Sequence, residues 1–356
     1  MKKSKKFVLA GLVLLAITMV LLPLSGCKND TVPPEVEKQE QTGDNTTNTE
    51  DNTSGGGDSG TGGGDTGDSS SGGNESDTDT DNGNNDNDAL VITTGDPAAF
   101  IDGITAEGTY TLVATNECTD TAAIKDALRA LESRQPEARI HLNLSQSGIT
   151  SIGNRAFQYC SSLASVEIPS SVTSIEDSAF DGCSSLASVK IPSSVTSIWN
   201  SAFRGCSSLA SVKIPSSVTS IGSSAFDGCT SLVSVEIPTS VTIIGEAAFS
   251  RCSSLASVTF AEGSRLGMIG DFTFNGCRSL VSVEIPSSVT RIGSYAFDGC
   301  LKLSTVKVEA ETPPSLGTNV FVATAADLKI QVPGTSAGYY ISNWSAYADK
   351  IVAITP

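Results

Sequence analysis

The sequence predicts a repeat solenoid, in which a parallel β-sheet is backed by short helical or turn segments and closed by a small α/β cap at each end. Three observations predict this fold: a cysteine recurs every 23 residues, a phenylalanine stands three residues before it, and a leucine stands three residues after it. The cysteines are Cys160, Cys183, Cys206, Cys229, Cys252, Cys277 and Cys300, with one gap of 25 residues. One such unit cannot bury its apolar positions against itself, so we expect successive units to stack as coils.

Residues 1–26 are predicted to be a signal peptide of the lipoprotein type. Lysines precede an apolar run from Phe7 to Leu22, and the letters LSGC follow, ending at Cys27. A plain membrane anchor is the alternative, but about sixteen apolar residues are fewer than the roughly 20 that a spanning helix needs. The segment resembles bacterial lipoprotein signals, and this resemblance implies cleavage before Cys27 and acylation of that residue.

Residues 27–88 are predicted to be a disordered acidic tether, because Asp, Asn, Thr, Ser and Gly make up most of the segment and leave no material for a core. From Lys28 to Asp88 it holds 16 acidic residues and 2 lysines, a net charge of −14, which leaves 23 acidic and 16 basic residues in the folded part. Such a chain spans roughly 45 Å as a random coil. It is either a device that holds the folded part clear of the membrane or an unselected spacer.

Residues 89–148 are predicted to form the N-terminal cap, because an uncapped coil would leave its apolar face in water. Ile124, Leu128 and their neighbours stand at helical spacing, with Asp120 as a possible N-cap. The letters ARIHLNLS then alternate as a strand. His141 falls on the polar side of that strand, where we expect it to be solvated.

Residues 149–308 are predicted to form seven coils marked by the cysteines. In the first coil Val166 and Ile168 alternate as a half-buried strand should, and Pro169 ends the strand. We expect the seven strands to form one parallel sheet, with Ala, Phe and Cys packed behind it on a helical or turn segment.

Residues 309–356 are predicted to form the C-terminal cap. The letters LKIQVP favour a strand, and GYYISNWSAYADKI favours a closing helix that packs Tyr339, Trp344 and Tyr347.

The segments SAFDGCSSLASVKIPSSVTSI and GSSAFDGCTSLVSVEIPTSVTIIG resemble the BspA-like leucine-rich repeat of bacterial surface proteins. The resemblance covers about residues 139–356. It implies a leucine-rich repeat fold and adhesion to host matrix proteins, other bacteria or host cells. Period and spacing alone indicate only a solenoid.

The cysteine column is predicted to be a row of buried free thiols. Equivalent positions of stacked coils should lie about 4.8 Å apart, whereas the Cβ atoms of a disulfide lie roughly 3.5–4.5 Å apart. Zinc is disfavoured because no C-x-x-C pair accompanies the column and His141 is the chain's only histidine. No cofactor and no metal are predicted.

Because the apolar positions face inward, partner contacts are expected at the outward positions of the strands. The candidates are Glu167, Lys190, Lys213, Glu236, Thr259, Glu284 and Lys307, which stand beside a column of small hydroxyl residues. Such a polar surface suits a broad protein contact better than a small-molecule pocket. The alternative is that these residues merely keep an exposed sheet soluble.

Two departures from the repeat indicate local specialisation. Phe260 and Ala261 replace the usual IP and two residues are added, so we expect a loop beside that coil. Trp199 stands where other coils have glycine. It is a further candidate contact, or it covers its neighbouring coil.

An enzyme is not expected, because the chain shows no phosphate loop, nucleophile elbow or metal-ligand cluster. The acidity of the chain disfavours nucleic acid as a partner. The sequence therefore predicts a lipid-anchored adhesin of the cell envelope that binds a protein partner, with its repeats on the outer surface. The alternative is an envelope scaffold or assembly lipoprotein that never meets a host.

Overall fold

The computed structural model describes residues 90–94, 96, 98, 104 and 106–355. The predicted signal peptide, the lipid site at Cys27 and the tether lie outside these residues. The described part of the chain is a parallel-strand solenoid of about nine turns, so the predicted fold class is confirmed.

Among the described residues, the N-terminal end of the solenoid contains three strands and a 14-residue helix. These are β1 Leu90–Thr94, β2 Thr109–Ala114, α1 Thr121–Arg134 and β3 Arg139–Asn143. The predicted helix is confirmed: the Asp120 side chain caps it by accepting a hydrogen bond from the Ala122 N–H at 2.8 Å. The Glu132 carboxylate accepts a hydrogen bond from the Ser162 N–H at 2.9 Å, which joins the helix to the first coil.

Most coils contribute one longer strand, and these strands are parallel. In a numbering that follows the chain, they are β4 Leu163–Glu167, β6 Ser188–Lys190, β9 Ser234–Ile237, β11 Ser257–Phe260, β13 Ser282–Ile285, β15 Thr305–Val308, β17 Lys329–Pro333 and β18 Ile351–Ile354. They form two sheets with the orders β1-β2-β3-β4-β6 and β9-β11-β13-β15-β17-β18.

The expectation of one continuous sheet is wrong at the third coil. Residues 212–214 have no strand assignment, and an isolated bridge between Ser211 and Ser234 joins this coil to β9. In an unbroken ladder Lys190 and Lys213 would stand directly opposite each other, and like charges in that position are destabilising. Such repulsion opposes strand pairing at this coil.

A third sheet, which the sequence did not predict, runs along another side of the solenoid. Its strands have two residues each: β5 Ser174–Ile175, β7 Ser197–Ile198, β8 Ser220–Ile221, β10 Ile243–Ile244, β12 Met268–Ile269, β14 Arg291–Ile292 and β16 Ser315–Leu316. They pair in parallel in that order. Two residues are too few to show an alternating pattern.

The core is built around a column of stacked phenylalanine rings from Phe157 to Phe321. Successive ring centroids lie 5.2–5.7 Å apart, and the planes are nearly parallel. The predicted turn behind the sheet is confirmed, since the Cys160 N–H donates to the Phe157 carbonyl at 3.1 Å. The Phe157 N–H in turn donates to the Ala179 carbonyl of the next coil at 2.7 Å. Backbone hydrogen bonds and ring stacking therefore both run from coil to coil.

The C-terminal end confirms the predicted strand and corrects the predicted helix. The helix α2 covers only Ala337–Asn343, and 3-10 segments flank it at Gly334–Ser336 and Ser345–Lys350. Tyr339 is exposed, whereas Tyr340 is fully buried and its hydroxyl donates to the Ala310 carbonyl at 2.7 Å. Trp344 is buried as expected, and Tyr347 packs edge-on against the last ring of the phenylalanine column.

The predicted loop beside the 25-residue coil is confirmed. Seven residues, 261–267, separate β11 from β12, whereas five residues, 238–242, separate β9 from β10. The Arg265 Nε donates to the Thr239 carbonyl at 3.3 Å, which ties the loop to the preceding coil.

Candidate functional site

The outward residues of the longer strands lie on one face of the solenoid, here called the strand face. Strand register sets Glu167 beside Lys190, Glu236 beside Thr259, and Glu284 beside Lys307. All seven predicted strand residues are exposed or half-buried, and the valines between them point inward. The structure therefore brings Glu167, Lys190, Lys213, Glu236, Thr259, Glu284 and Lys307 together in coil order.

Trp199, the eighth predicted contact, is placed elsewhere. It directly follows β7 in the sheet of two-residue strands, and it is about half exposed. Gly222 of the next coil lies against its backbone, where an added Cβ would stand 2.6 Å from the Trp199 carbonyl carbon. Trp199 lines a shallow depression together with Asn200 and Ser220. Trp199 is thus not part of the strand face.

The charges on the strand face are only partly paired. Lys190 Nζ lies 3.4 Å from Glu167 Oε1, and Lys307 pairs with Glu284. These pairs are exposed, and exposed ion pairs contribute only about 0–1 kcal/mol. Within residues 106–355, Lys213 and Glu236 have no ion pair although their coils are neighbours. A charged side chain of this face can therefore leave its present ion pair and bind a charged group of another protein at little energetic cost.

One end of the strand face is a concave cleft of about 400 Å³. Its lining includes His141, Ser165, Glu167 and Lys190. His141 is half-buried, and its Nδ1 lies 2.6 Å from the Ser165 hydroxyl oxygen. The expectation that His141 is simply solvated missed this contact. The alternation in ARIHLNLS could have revealed it, since it sets His141 on the same side as the hydroxyl column.

The seven cysteines are buried thiols, as predicted, and none of them forms a disulfide. The Cys183 thiol donates to the Phe157 carbonyl at 3.0 Å, and similar bonds repeat at each later coil. Burial raises the pKa of the Cys160, Cys229 and Cys300 thiols to about 12. It also raises the pKa of the other four well above the ordinary value. These thiols are protonated at neutral pH and are therefore poor nucleophiles and poor metal ligands.

In residues 90–355, as far as they are described, no helix combines the length and apolar character needed to cross a bilayer.

The repeat unit matches a known family. The profile of the BspA type leucine rich repeat region matches in six copies, over residues 140–256 and 252–342. The chain belongs to the BspA-type leucine-rich repeat family. The expected leucine-rich repeat is thereby confirmed, and the family assigns the repeat surface to protein binding. Leucine-rich repeat proteins are typically binding scaffolds without catalytic activity.

Solved structures of bacterial leucine-rich repeat proteins are similar to this BspA-type chain. The T. pallidum leucine rich repeat protein is 30% identical, with 62% of this chain and 85% of that chain covered and a TM-score of 0.42. A leucine-rich repeat protein from Bacteroides ovatus is 28% identical, covers 53% of this chain and 62% of that chain, and gives a TM-score of 0.36. A leucine rich cell surface protein from Faecalibacterium prausnitzii is 23% identical, with 72% of this chain and 85% of that chain covered and a TM-score of 0.35. A search of curated proteins found no match.

Proposed function

We propose that this BspA-type protein is a lipid-anchored protein of the bacterial cell surface that binds other proteins through its strand face. Its partners would be host matrix proteins or the surface proteins of other bacteria. One observation carries the proposal: seven outward residues follow one another in coil order along one face, and strand register pairs six of them. At about 4.8 Å per strand, seven coils extend on the order of 35 Å.

The composition of the strand face supports a protein partner. Its centre carries acidic, basic and hydroxyl side chains in short alternation, and a typical protein interface takes roughly 800 Å² from each partner. A small apolar ligand would need enclosing walls. The cleft beside His141 and Glu167 is open to solvent and does not enclose a ligand.

The proposed anchoring rests on the sequence. The LSGC ending places a cysteine at position 27, directly after the apolar segment, and the acidic stretch from Lys28 to Asp88 separates it from the repeats. Acyl chains add about 0.8 kcal/mol for each buried methylene, so several chains hold a protein firmly. The acidic stretch would then present the strand face away from the membrane.

Replacing Glu167, Lys190, Lys213 and Glu236 together by serine is expected to weaken adhesion at least about tenfold, which corresponds to about 1.4 kcal/mol. The reason is that all four charges point outward from neighbouring coils of the strand face. The measurement is attachment of cells bearing the full-length chain to immobilised host matrix proteins and to neighbouring bacteria.

A matched control replaces Glu262, Arg278, Lys302 and Asp327, which carry the same charges, are exposed and lie outside the longer strands. The control variant should adhere like the parent, and both variants should unfold at a similar urea concentration. Equal adhesion by the strand-face variant and the parent would move the contact to another face of the solenoid.

A further inference from the structure

A second surface carries a feature that the fold does not require. In eight successive coils the residue two positions before the stacked phenylalanine has a left-handed backbone, with φ between 53° and 56°. Small or polar residues hold six of these positions: Arg155, Ser178, Ser201, Ser224, Ala247 and Asn319. Phe272 and Tyr295 hold the other two. Bulky side chains are least suited to this backbone, and serine or alanine completes the same turn elsewhere. Turn formation therefore does not explain the two aromatic rings.

The two rings form a partly exposed stack. Their centroids lie 5.1 Å apart, the planes differ by 6°, and Phe272 is 36% exposed. Asn319 Nδ2 donates to the Tyr295 hydroxyl at 3.2 Å and closes the C-terminal side of the stack. On the N-terminal side the equivalent residue is Ala247, whose methyl group is too short to cover a ring. Among the described residues, Phe272 therefore has no aromatic neighbour on this side and keeps 36% of its surface exposed.

The residue next to Ala247 in the same coil is an exposed carboxylate. Glu246 directly precedes Ala247. In other coils the residue at this position, such as Asp177, Asn200 or Asp271, accepts a hydrogen bond from a backbone N–H of the next coil at 2.8–2.9 Å. Glu246 is one methylene longer than aspartate and makes no such bond. In residues 106–355 its carboxylate also has no ion pair, and the residue is exposed.

We propose that Phe272, Ala247 and Glu246 form a slot that binds an arginine side chain of a protein partner. A guanidinium group is flat and stacks on an aromatic face, and its paired N–H groups match a carboxylate. The neighbouring Asp271 is already engaged, since Arg291 lies 3.5 Å from it. Glu246 is therefore the carboxylate that remains for an outside group.

The net charge of the folded part favours the same partner. Its 23 acidic residues outnumber its 16 basic residues, so the field around the solenoid attracts a basic segment. Lysine fits less well, because its compact ammonium group cannot lie flat on the ring. The slot belongs to the turns behind the strand face, so its ligand is separate from a ligand of that face.

The test measures binding of the full-length chain, purified in detergent, to an immobilised peptide Gly-Ser-Arg-Gly-Ser by surface plasmon resonance. The matching lysine peptide at equal density is the reference, and methyl β-glucoside serves as a soluble competitor. Saturable binding that favours the arginine peptide is expected. Phe272→Ser and Glu246→Asn, which restore residues used in other coils, should each weaken it roughly fivefold or more. The strand-face quadruple variant should bind like the parent.

Three results would overturn the proposal. The first is equal, salt-sensitive binding of both peptides, which would indicate a general attraction of acidic protein for cations. The second is displacement by the glucoside, which would make the aromatic face a sugar platform. The third is unchanged arginine binding in both slot variants. Both substitutions copy residues found at the same position of other coils, so the fold should be retained, and urea unfolding checks this directly.

Discussion

Phe226→Ala is expected to lower the free energy of unfolding by about 3–5 kcal/mol, the usual loss when a large aromatic side chain is removed from a core. Phe226 is fully buried and stacks on Phe203 and on Phe249, each at 5.3 Å. The substitution therefore leaves a cavity and also breaks two ring contacts, which contribute about 0.5–1.5 kcal/mol each beyond burial. Because each coil contacts only its neighbours, the damage should centre on the coils of these three rings.

Urea unfolding followed by circular dichroism measures the loss of unfolding free energy, and hydrogen exchange shows which coils lose protection. Phe272→Ser is the matched control, since Phe272 is exposed at a left-handed position and its removal should change the unfolding free energy by less than about 1 kcal/mol. Similar losses in the two variants would show that the buried phenylalanine column does not hold the coils together.

Alkaline pH is expected to destabilise the folded chain through the cysteine column. Burial raises the pKa of Cys160, Cys229 and Cys300 to about 12, whereas an unfolded thiol has a pKa of about 8.5. Between these values the unfolded chain releases thiol protons that the folded chain retains. The unfolding free energy is thus unaffected by these thiols below about pH 8 and falls as pH rises toward about 12, by up to about 1.4 kcal/mol per thiol and pH unit.

The measurement is urea unfolding in reducing buffer at several pH values from about 8 to about 10. A variant with Cys206→Ala and Cys252→Ala is the control: its stability at pH 8 will be lower, but its decline with pH should be shallower than that of the parent. In the folded parent the column thiols should also resist alkylation until urea is added. Equal slopes in the two proteins, or rapid alkylation of the folded chain, would contradict this account.

The repeat period was enough to predict the solenoid, the buried thiols and the inward valines, because each of these recurs in every coil. The two-residue strands escaped prediction because residues such as Ser197 and Ile198 carry no pattern of their own and pair only once the coils are stacked. The ladder break at the third coil likewise depends on which lysines become neighbours across coils.

The packing of individual residues was harder to predict than that of positions that recur in every coil. The sequence could not decide which of the adjacent Tyr339 and Tyr340 packs inward, since that depends on where a short helix begins against the last coil. The contact of His141 with Ser165 joins residues 24 positions apart. Phe272 and Tyr295 stand at positions that vary between coils, so their stack became visible only when their coils were aligned.

Protease treatment of intact cells, followed by blotting for the repeat region, tests most directly the claim that the strand face is presented to partners outside the cell. Rapid loss of the repeats from unbroken cells is the predicted result, and Cys27→Ser should release the protein from the cell. Full protection of the repeats, with digestion only after the envelope is opened, would contradict surface display and indicate a scaffold within the envelope.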